Sequence, residues 1–590
     1  MIDFFIHIND ISISEKIDIS CGRALSFEES GGNQRNEIVL FKTTKHYKVV
    51  INDKVYLFIG DVIPPIGYKN DIVQYCQSIA QNFIPEKIRD LSGFFYLITL
   101  STQNNEISVY NSLFSILPLF YYKQSNRLII ASNTAFIKNS TDTKLTVDKK
   151  YILEKLLFNY GFLNNTIYKE IKLVPSNSFM HIGQNKLSFT KHTDIRDFFV
   201  NNHISSKKTI QYLADLFIDQ TIKYFPSEKS SIAFTGGFDG RTIISVAKNA
   251  SIDFSAYSFG AKNNDDVSIP LAQSELLGID FKPFFLEDKK YTDDFLQVGK
   301  ELIGLSSGMS SFLYTHFLYS TKELSEDTGV LLTGYFGSEL NRSLNVAGAV
   351  TSRKLIDLFL LNDQAWSERI FVTPRLNFLN RGLYKNELQE LVDDVLEYKK
   401  ELNYDMTLNQ KFYVYIFEET FRKMFGSIIV AQMKYQKVRT PFLDFKYITE
   451  LLKTSFAGVN NSFFTNNPIK RFKGQRLYAE IIKKTSPEVL KLKTGKGYAP
   501  NDLISFKGKY NILAPFFSKR IKRVISKPNL DNLLLLSNIF NNRQYFINNL
   551  NQTELYNNDL IKYKLSEFNG LINEVERDMI ITSITLNEIY

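Results

Sequence analysis

One short stretch constrains the fold more than any other. The apolar run Ser231–Phe234 leads straight into Thr235-Gly236-Gly237-Phe238-Asp239-Gly240-Arg241, and a helical pattern runs from Arg241 to Asn249. Strand, glycine loop and helix in that order suit anion binding. Two adjacent glycines let the backbone turn tightly and approach a phosphate, and N–H groups of the first helical turn point at it. Asp239 puts a carboxylate beside that phosphate, where it is repelled unless a cation intervenes, so magnesium is implied. The loop lacks the Lys-Ser/Thr ending of a Walker A sequence, which argues against γ-phosphate transfer. Taken alone, the stretch also suits an ordinary glycine turn.

The pattern around this loop divides the chain. Before it, short β-rich runs alternate with turn signals, as in Phe4–Ile8, Tyr47–Ile51, Phe94–Leu100, Ile107–Asn111 and Arg127–Ala131. Residues 1–195 therefore form a strand-dominated domain. The polar segment His192–Lys208 carries the boundary, and helical spacing begins in Tyr212–Tyr224. From Ser230 on, buried strands (Ser231–Phe234, Phe254–Phe259, Val330–Leu332) alternate with helices (Arg241–Asn249, Ile269–Leu277, Phe312–Leu324), the sequence form of a parallel α/β sheet. This second domain spans 205–505. Residues 506–590 form a helical C-terminal extension, with apolar spacing in Leu533–Phe540 and Leu571–Leu586.

Composition removes several alternatives. A chain of 590 residues exceeds what one core supports, so two principal domains are expected. Cys21 and Cys76 are the only cysteines, which argues for a reducing, cytoplasmic setting rather than a disulfide scaffold. The six histidines show no zinc-ligand spacing. The first residues do not read as a signal peptide, and no apolar run approaches the roughly 18 residues that span a bilayer, so no membrane partner is expected. The net charge of +9 is spread along the chain without an aromatic-interleaved basic stripe, so no nucleic-acid partner is expected either.

Three further segments follow the glycine loop in order: Thr333-Gly334-Tyr335-Phe336-Gly337-Ser338-Glu339-Leu340, then Val438-Arg439-Thr440-Pro441-Phe442-Leu443-Asp444, then Lys493-Thr494-Gly495-Lys496-Gly497-Tyr498-Ala499-Pro500. With the loop, they resemble the asparagine synthetase family. That family has a Ser-Gly-Gly-x-Asp-Ser pyrophosphate loop, a Ser-Gly-Glu-Gly-Ala-Asp-Glu-Leu loop, an Arg-x-Pro-Phe-Leu-Asp segment and a late Lys-Gly-Phe-x-x-Pro segment. The resemblance implies a PP-loop, adenine nucleotide α-hydrolase-like domain. It also implies adenine contacts near Phe234, Phe259 and Gly334, and phosphate contacts along Thr235, Gly236, Gly237, Asp239 and Gly240, with Thr333 beside them. Ser338 stands where the family has a metal-binding Asp, so the second metal carboxylate falls to Glu339, partnering Asp239. Tyr335 replaces a Glu of asparagine synthetases and is similar to the Tyr of β-lactam synthetases, where it belongs to a Tyr–Glu base pair. Glu419 is the candidate partner. A lysine over the adenylate is implied at Lys496, with Lys493 the rival. The Pro441–Asp444 run also suits a helix start capped by Asp444.

The first domain resembles the N-terminal-nucleophile amidotransferase domain through Ser92-Gly93-Phe94-Phe95, Leu117-Pro118-Leu119-Phe120-Tyr121-Tyr122 and Ile130-Ala131-Ser132. Working members expose a Cys after Met removal; here Ile2 follows Met1, and Cys21-Gly22 imitates the Cys-Gly start without its position. The resemblance therefore runs to the β-lactam synthetases and lasso-peptide cyclases, whose first domain is a scaffold. The expected function is an AMP-forming carbon–nitrogen ligase using ATP and Mg²⁺, joining a small-molecule or peptide carboxylate to an amine. An ammonia-dependent asparagine synthetase is the alternative within that class, and a non-catalytic scaffold or binding protein the alternative outside it.

Overall fold

A computed structural model describes residues 2–9, 17–23, 36–183, 186–342, 344, 350–402, 405–461, 473–508, 510–512, 530–550, 554–566 and 574–588. Among the described residues the first domain holds twelve strands: β1 (Phe4–Ile8), β2 (Asp18–Arg23), β3 (Glu37–Phe41), β4 (His46–Ile51), β5 (Lys54–Ile63), β6 (Ser92–Ser101), β7 (Ile107–Asn111), β8 (Phe120–Gln124), β9 (Arg127–Ala131), β10 (Ile171–Leu173), β11 (Ser178–Gly183) and β12 (Lys186–Lys191). They form two sheets, ordered β10-β8-β9-β1-β3-β2 and β12-β11-β7-β6-β5-β4. Strand β6 shows why they layer. Its alternate residues Phe94, Tyr96 and Ile98 join the main core, where Tyr96 meets Phe4 of β1 edge-on at 5.1 Å. Phe95 and Leu97 point the other way into a smaller cluster under the helix Ile72–Gln81, as the two-residue period of a strand requires. Helix Thr134–Ser140 covers the other sheet, stacking Phe136 on Phe41 at 4.8 Å.

The helix Lys149–Phe158 departs from the amphipathic pattern. All residues from Tyr151 to Phe158 are buried, including Glu154 and Lys155, because the helix is inserted among the second domain's helices Arg353–Leu360 and Lys385–Glu401 and the C-terminal helix Glu574–Asn587. Lys155 has no carboxylate partner among the described residues and donates to the carbonyls of Gly308, Met309 and Ser310; burial pulls its pKa down to about 7.

The second domain is built on a five-stranded parallel sheet: β13 (Ser230–Ala233), β14 (Phe254–Gly260), β15 (Phe281–Phe285), β16 (Val330–Leu332) and β17 (Lys437–Arg439), ordered β15-β14-β13-β16-β17. The chain steps from β13 outward to β15, then crosses back to lay β16 on the other side of β13. The switch point therefore falls between the ends of β13 and β16, the crevice where open α/β sheets take ligands. The domains are joined by a buried ion pair: Arg439 at the end of β17 grips both carboxylate oxygens of Asp61 on β5, at 2.7 and 3.0 Å. Among the described residues no helix is long and apolar enough to cross a membrane.

Candidate functional site

Both loops at the switch point converge on Asp239. The glycine loop leaves β13, and Thr235 Oγ1 accepts from the Gly237 N–H at 3.3 Å to close its turn. The helix Asp239–Asn249 then begins at Phe238, which offers no side-chain cap. Its neighbours are capped by Ser206, Asn264 and Asp444, so here the first-turn N–H groups are left for another acceptor. The helix lies so close to β13 that a Cβ on Gly240 would fall 2.0 Å from the Ala233 carbonyl oxygen. That contact explains a glycine at this position.

From β16 comes the segment Thr333–Asn341. A Cβ on Gly334 would meet the Asp239 Cβ at 2.6 Å, and one on Gly337 would meet Asp239 Oδ1 at 2.7 Å. Ser338 donates to Asp239 Oδ2 at 2.8 Å, and Tyr478 donates to Oδ1. Burial raises the Asp239 carboxyl above its usual range, against the opposing pull of these donors and of Arg342 and Lys496. Glu339, 7% exposed, is raised to about 7, first by burial and further by the charge of Asp239, while Arg342 opposes the shift. Two buried carboxylates that disfavour each other's ionisation are the groups here that could hold a divalent cation. The hydroxyl Oγ1 of Thr333, at the end of β16, is buried without a partner among the described residues. Phe336 adopts a left-handed conformation (φ 69°) where the resembling family has glycine. Its ring is fully buried against Phe421 and Phe425, which holds the backbone there.

The late loop closes over this arrangement. The Gly495 N–H donates to the Gly236 carbonyl at 3.0 Å, and Lys496 Nζ lies 5.3 Å from the Phe238 ring centre. Lys493 is exposed on this loop and turns its carbonyl inward to Gln273 Nε2 at 2.7 Å. Of the two lysines, the structure brings Lys496 to the glycine loop. Sequence reasoning missed Arg241 and Arg342. Arg241 is fully buried and donates to the carbonyls of Gly237, Leu492 and Lys493, which ties the two loops together. Its place directly after the glycine loop was the signal for it. Arg342, one turn past Glu339, carried no such signal.

Phe234 is buried at the end of β13, and Phe259, near the end of β14, meets His316 and Phe317 edge-on at 4.5 and 4.7 Å. Tyr335 continues that aromatic wall, 6.0 Å from Phe317. Its hydroxyl donates to Gln432 Oε1 at 3.1 Å, and burial raises its pKa well above the usual tyrosine range. The structure does not bring Glu419 to Tyr335. Glu419 sits in the π-helix Ile416–Phe425, held by Arg422 at 2.7 Å and Lys423 at 2.6 Å, and both cations donate onward to first-domain carbonyls.

The raised Glu339 carboxyl carries a stability consequence. Folded, it keeps its proton up to about pH 7, whereas an unfolded Glu loses it near 4.3. Stability therefore falls as pH rises through that window. At pH 8 without ligand, Glu339→Gln is expected to stabilise the protein by on the order of 2–3 kcal/mol, read as a higher melting temperature that converges with the parent's at pH 4. A lower melting temperature at pH 8 would contradict this.

Residues 78–193 match the glutamine amidotransferase domain family. Over these residues the first domain is thus similar to a glutamine amidotransferase domain. No curated protein sequence matches the chain. Among solved structures, the chain is similar to the glutamine phosphoribosylpyrophosphate amidotransferase from B. subtilis complexed with ADP and GMP, at 9% identity and a TM-score of 0.16, over 40% of this chain and 47% of that one. It is also similar to an allosteric regulatory enzyme of purine biosynthesis, at 9% identity and a TM-score of 0.17, over 42% and 51%. The chain spans about half of each, and likeness at that level says nothing about its reaction.

Proposed function

We propose that this chain is an ATP-dependent, AMP-forming ligase that activates a carboxylate as an acyl-adenylate and transfers the acyl group to an amine. The observation that carries the reading is the closure of the Lys496 loop on the glycine loop, beside Asp239 and Glu339 at the switch point of a parallel sheet. The glycine loop and the uncapped helix start would receive the β- and γ-phosphates, and Phe234, Phe259 and Gly334 would border the adenine. A substrate carboxylate oxygen attacks the α-phosphorus, the bond to the bridging oxygen breaks, and pyrophosphate leaves. The amine then attacks the acyl carbon, AMP departs and the amine loses a proton. Lys496 would stabilise the charge developing on the α-phosphoryl group. Asp239 and Glu339 fit Mg²⁺: they are hard oxygen donors whose mutual repulsion a divalent ion relieves, and that ion usually takes one or two carboxylates alongside substrate phosphates. When bound it would neutralise the departing pyrophosphate.

Tyr335 has a different role from the one its family resemblance implies. A phenol with a strongly raised pKa that donates to Gln432 is a hydrogen-bonding group, not a ready base. Loss of a true general base costs about a hundred- to ten-thousandfold. Tyr335→Phe is therefore expected to slow amide formation by about tenfold or less, on the scale of one lost hydrogen bond, and to spare pyrophosphate exchange. A loss of about a thousandfold confined to amide formation would restore the base assignment.

The first domain would serve as scaffold. The head of β1 carries Ile2 and Asp3, neither a thiol nor a hydroxyl, and Ile2 is buried. Cys76 is buried in the small cluster, and burial pushes its thiol up to about 12. Incubation with glutamine is expected to release no glutamate; release that Cys21→Ala abolishes would overturn this.

A further inference from the structure

We infer that a groove lined by the helix Lys149–Phe158, the second domain and the C-terminal helices binds an amphipathic anion, an apolar body with one carboxylate or phosphate head. The groove encloses about 860 Å³, within the roughly 300–1,000 Å³ of small-molecule sites. Leu157, Phe378 and Leu560 supply apolar lining, and Arg353, Lys354 and Arg375 share it, with Arg375 also donating to the Leu156 carbonyl at 2.6 Å. Lys564 adds a fourth cation, and Glu576, which it pairs with at 2.8 Å, is the single carboxylate among the described lining residues. The surplus of cations selects an anion, and the apolar lining favours one with a hydrophobic body.

The position of two of these cations points the same way. Arg353 and Lys354 open the helix Arg353–Leu360, whose first turn holds no acid. Cations there oppose the helix dipole, and a bound anion would reverse that cost. Within the protein they are only partly compensated. Asp357 is shared between Arg353 at 2.9 Å and Arg369 at 3.1 Å, and Lys354 Nζ donates to the uncharged Arg369 carbonyl at 3.0 Å. None of the groove residues belongs to the switch-point site, so the inference stands apart from the ligase reading.

The chain carries its own reporter. Trp366, the only tryptophan, is buried and donates its indole N–H to the Lys354 carbonyl at 2.9 Å. The full-length protein is titrated with decanoate and with decyl phosphate below their micelle thresholds, following Trp366 emission and binding heat. Decanol and inorganic phosphate serve as the headless and tailless controls. Saturable binding of at least one amphiphile is expected, weakened tenfold or more by the double variant Arg353→Gln, Lys354→Gln. Should that variant fail to fold, Arg353→Gln alone alters an exposed side chain and is expected to weaken binding at least threefold. The better of the two amphiphiles identifies the head group. Equal binding of decanol would reduce the groove to an apolar cavity, and equal binding of inorganic phosphate would remove the apolar body from the proposal. No saturable binding, or binding unchanged in the variants, would overturn it.

Discussion

Replacing Lys496 by methionine is expected to slow ATP–pyrophosphate exchange about a hundred- to a thousandfold, the usual cost of losing one group that stabilises transition-state charge. ATP affinity should stay close to that of the parent, because the phosphates are proposed to rest on the glycine loop and helix start rather than on this side chain. The loop itself should survive the change, since the Gly495 bond to the Gly236 carbonyl and the Arg241 bonds to the carbonyls of Leu492 and Lys493 do not involve the Lys496 side chain. The test separates exchange rate from nucleotide affinity measured by equilibrium binding. An equal loss in both would mean that Lys496 holds the ground state. An unaltered rate would transfer the role elsewhere, with Arg342, whose charge also acts on Asp239, an alternative cation.

The second large effect concerns stability. Asp61 is 3% exposed and Arg439 8%, so truncating one partner leaves a buried charge without its counterion. Asp61→Ala is expected to cost about 3–5 kcal/mol. Burial alone would push the Asp61 carboxyl up, yet Arg439, helped by Lys437, holds it below its usual value. For a carboxyl depressed in this way, the stabilisation is fully present above the unfolded value of about 3.9 and lost as pH falls through the lower folded value. Denaturant unfolding at pH 7 should show the whole difference between parent and variant, and acid titration should narrow it. A difference below about 1 kcal/mol at pH 7 would show that the domains are joined mainly by their apolar contacts.

The elements that could be read in the sequence are those whose pattern is local. Strand β7 and strands β9 and β16 coincide with their expected spans, and Asp444 caps the helix Phe445–Leu452 by accepting from the Tyr447 N–H at 3.1 Å. The elements that escaped notice depend on distant partners. Strand β15 contains Pro283, which a lone sequence reads as a breaker but which an edge strand tolerates. The helix Lys149–Phe158 lacks an apolar stripe because the second domain surrounds it. In the site, motif order was enough to place Asp239, Glu339 and Lys496 in one neighbourhood. Pairing Tyr335 with Glu419 could not be read from residue type: Arg422 and Lys423, three and four residues on, hold that carboxylate instead. Arg241 stands directly after the glycine loop, but its carbonyl partners Leu492 and Lys493 lie 251 and 252 residues away, so its tie to the late loop could not be read locally.

ATP–pyrophosphate exchange by the full-length protein, with magnesium and a panel of carboxylates, tests the central claim most directly. The account predicts exchange that requires both a particular carboxylate and magnesium, and that Asp239→Asn abolishes. Exchange that persists in Asp239→Asn, or no exchange with any carboxylate, would contradict it, and the latter result would favour a scaffold or binding protein.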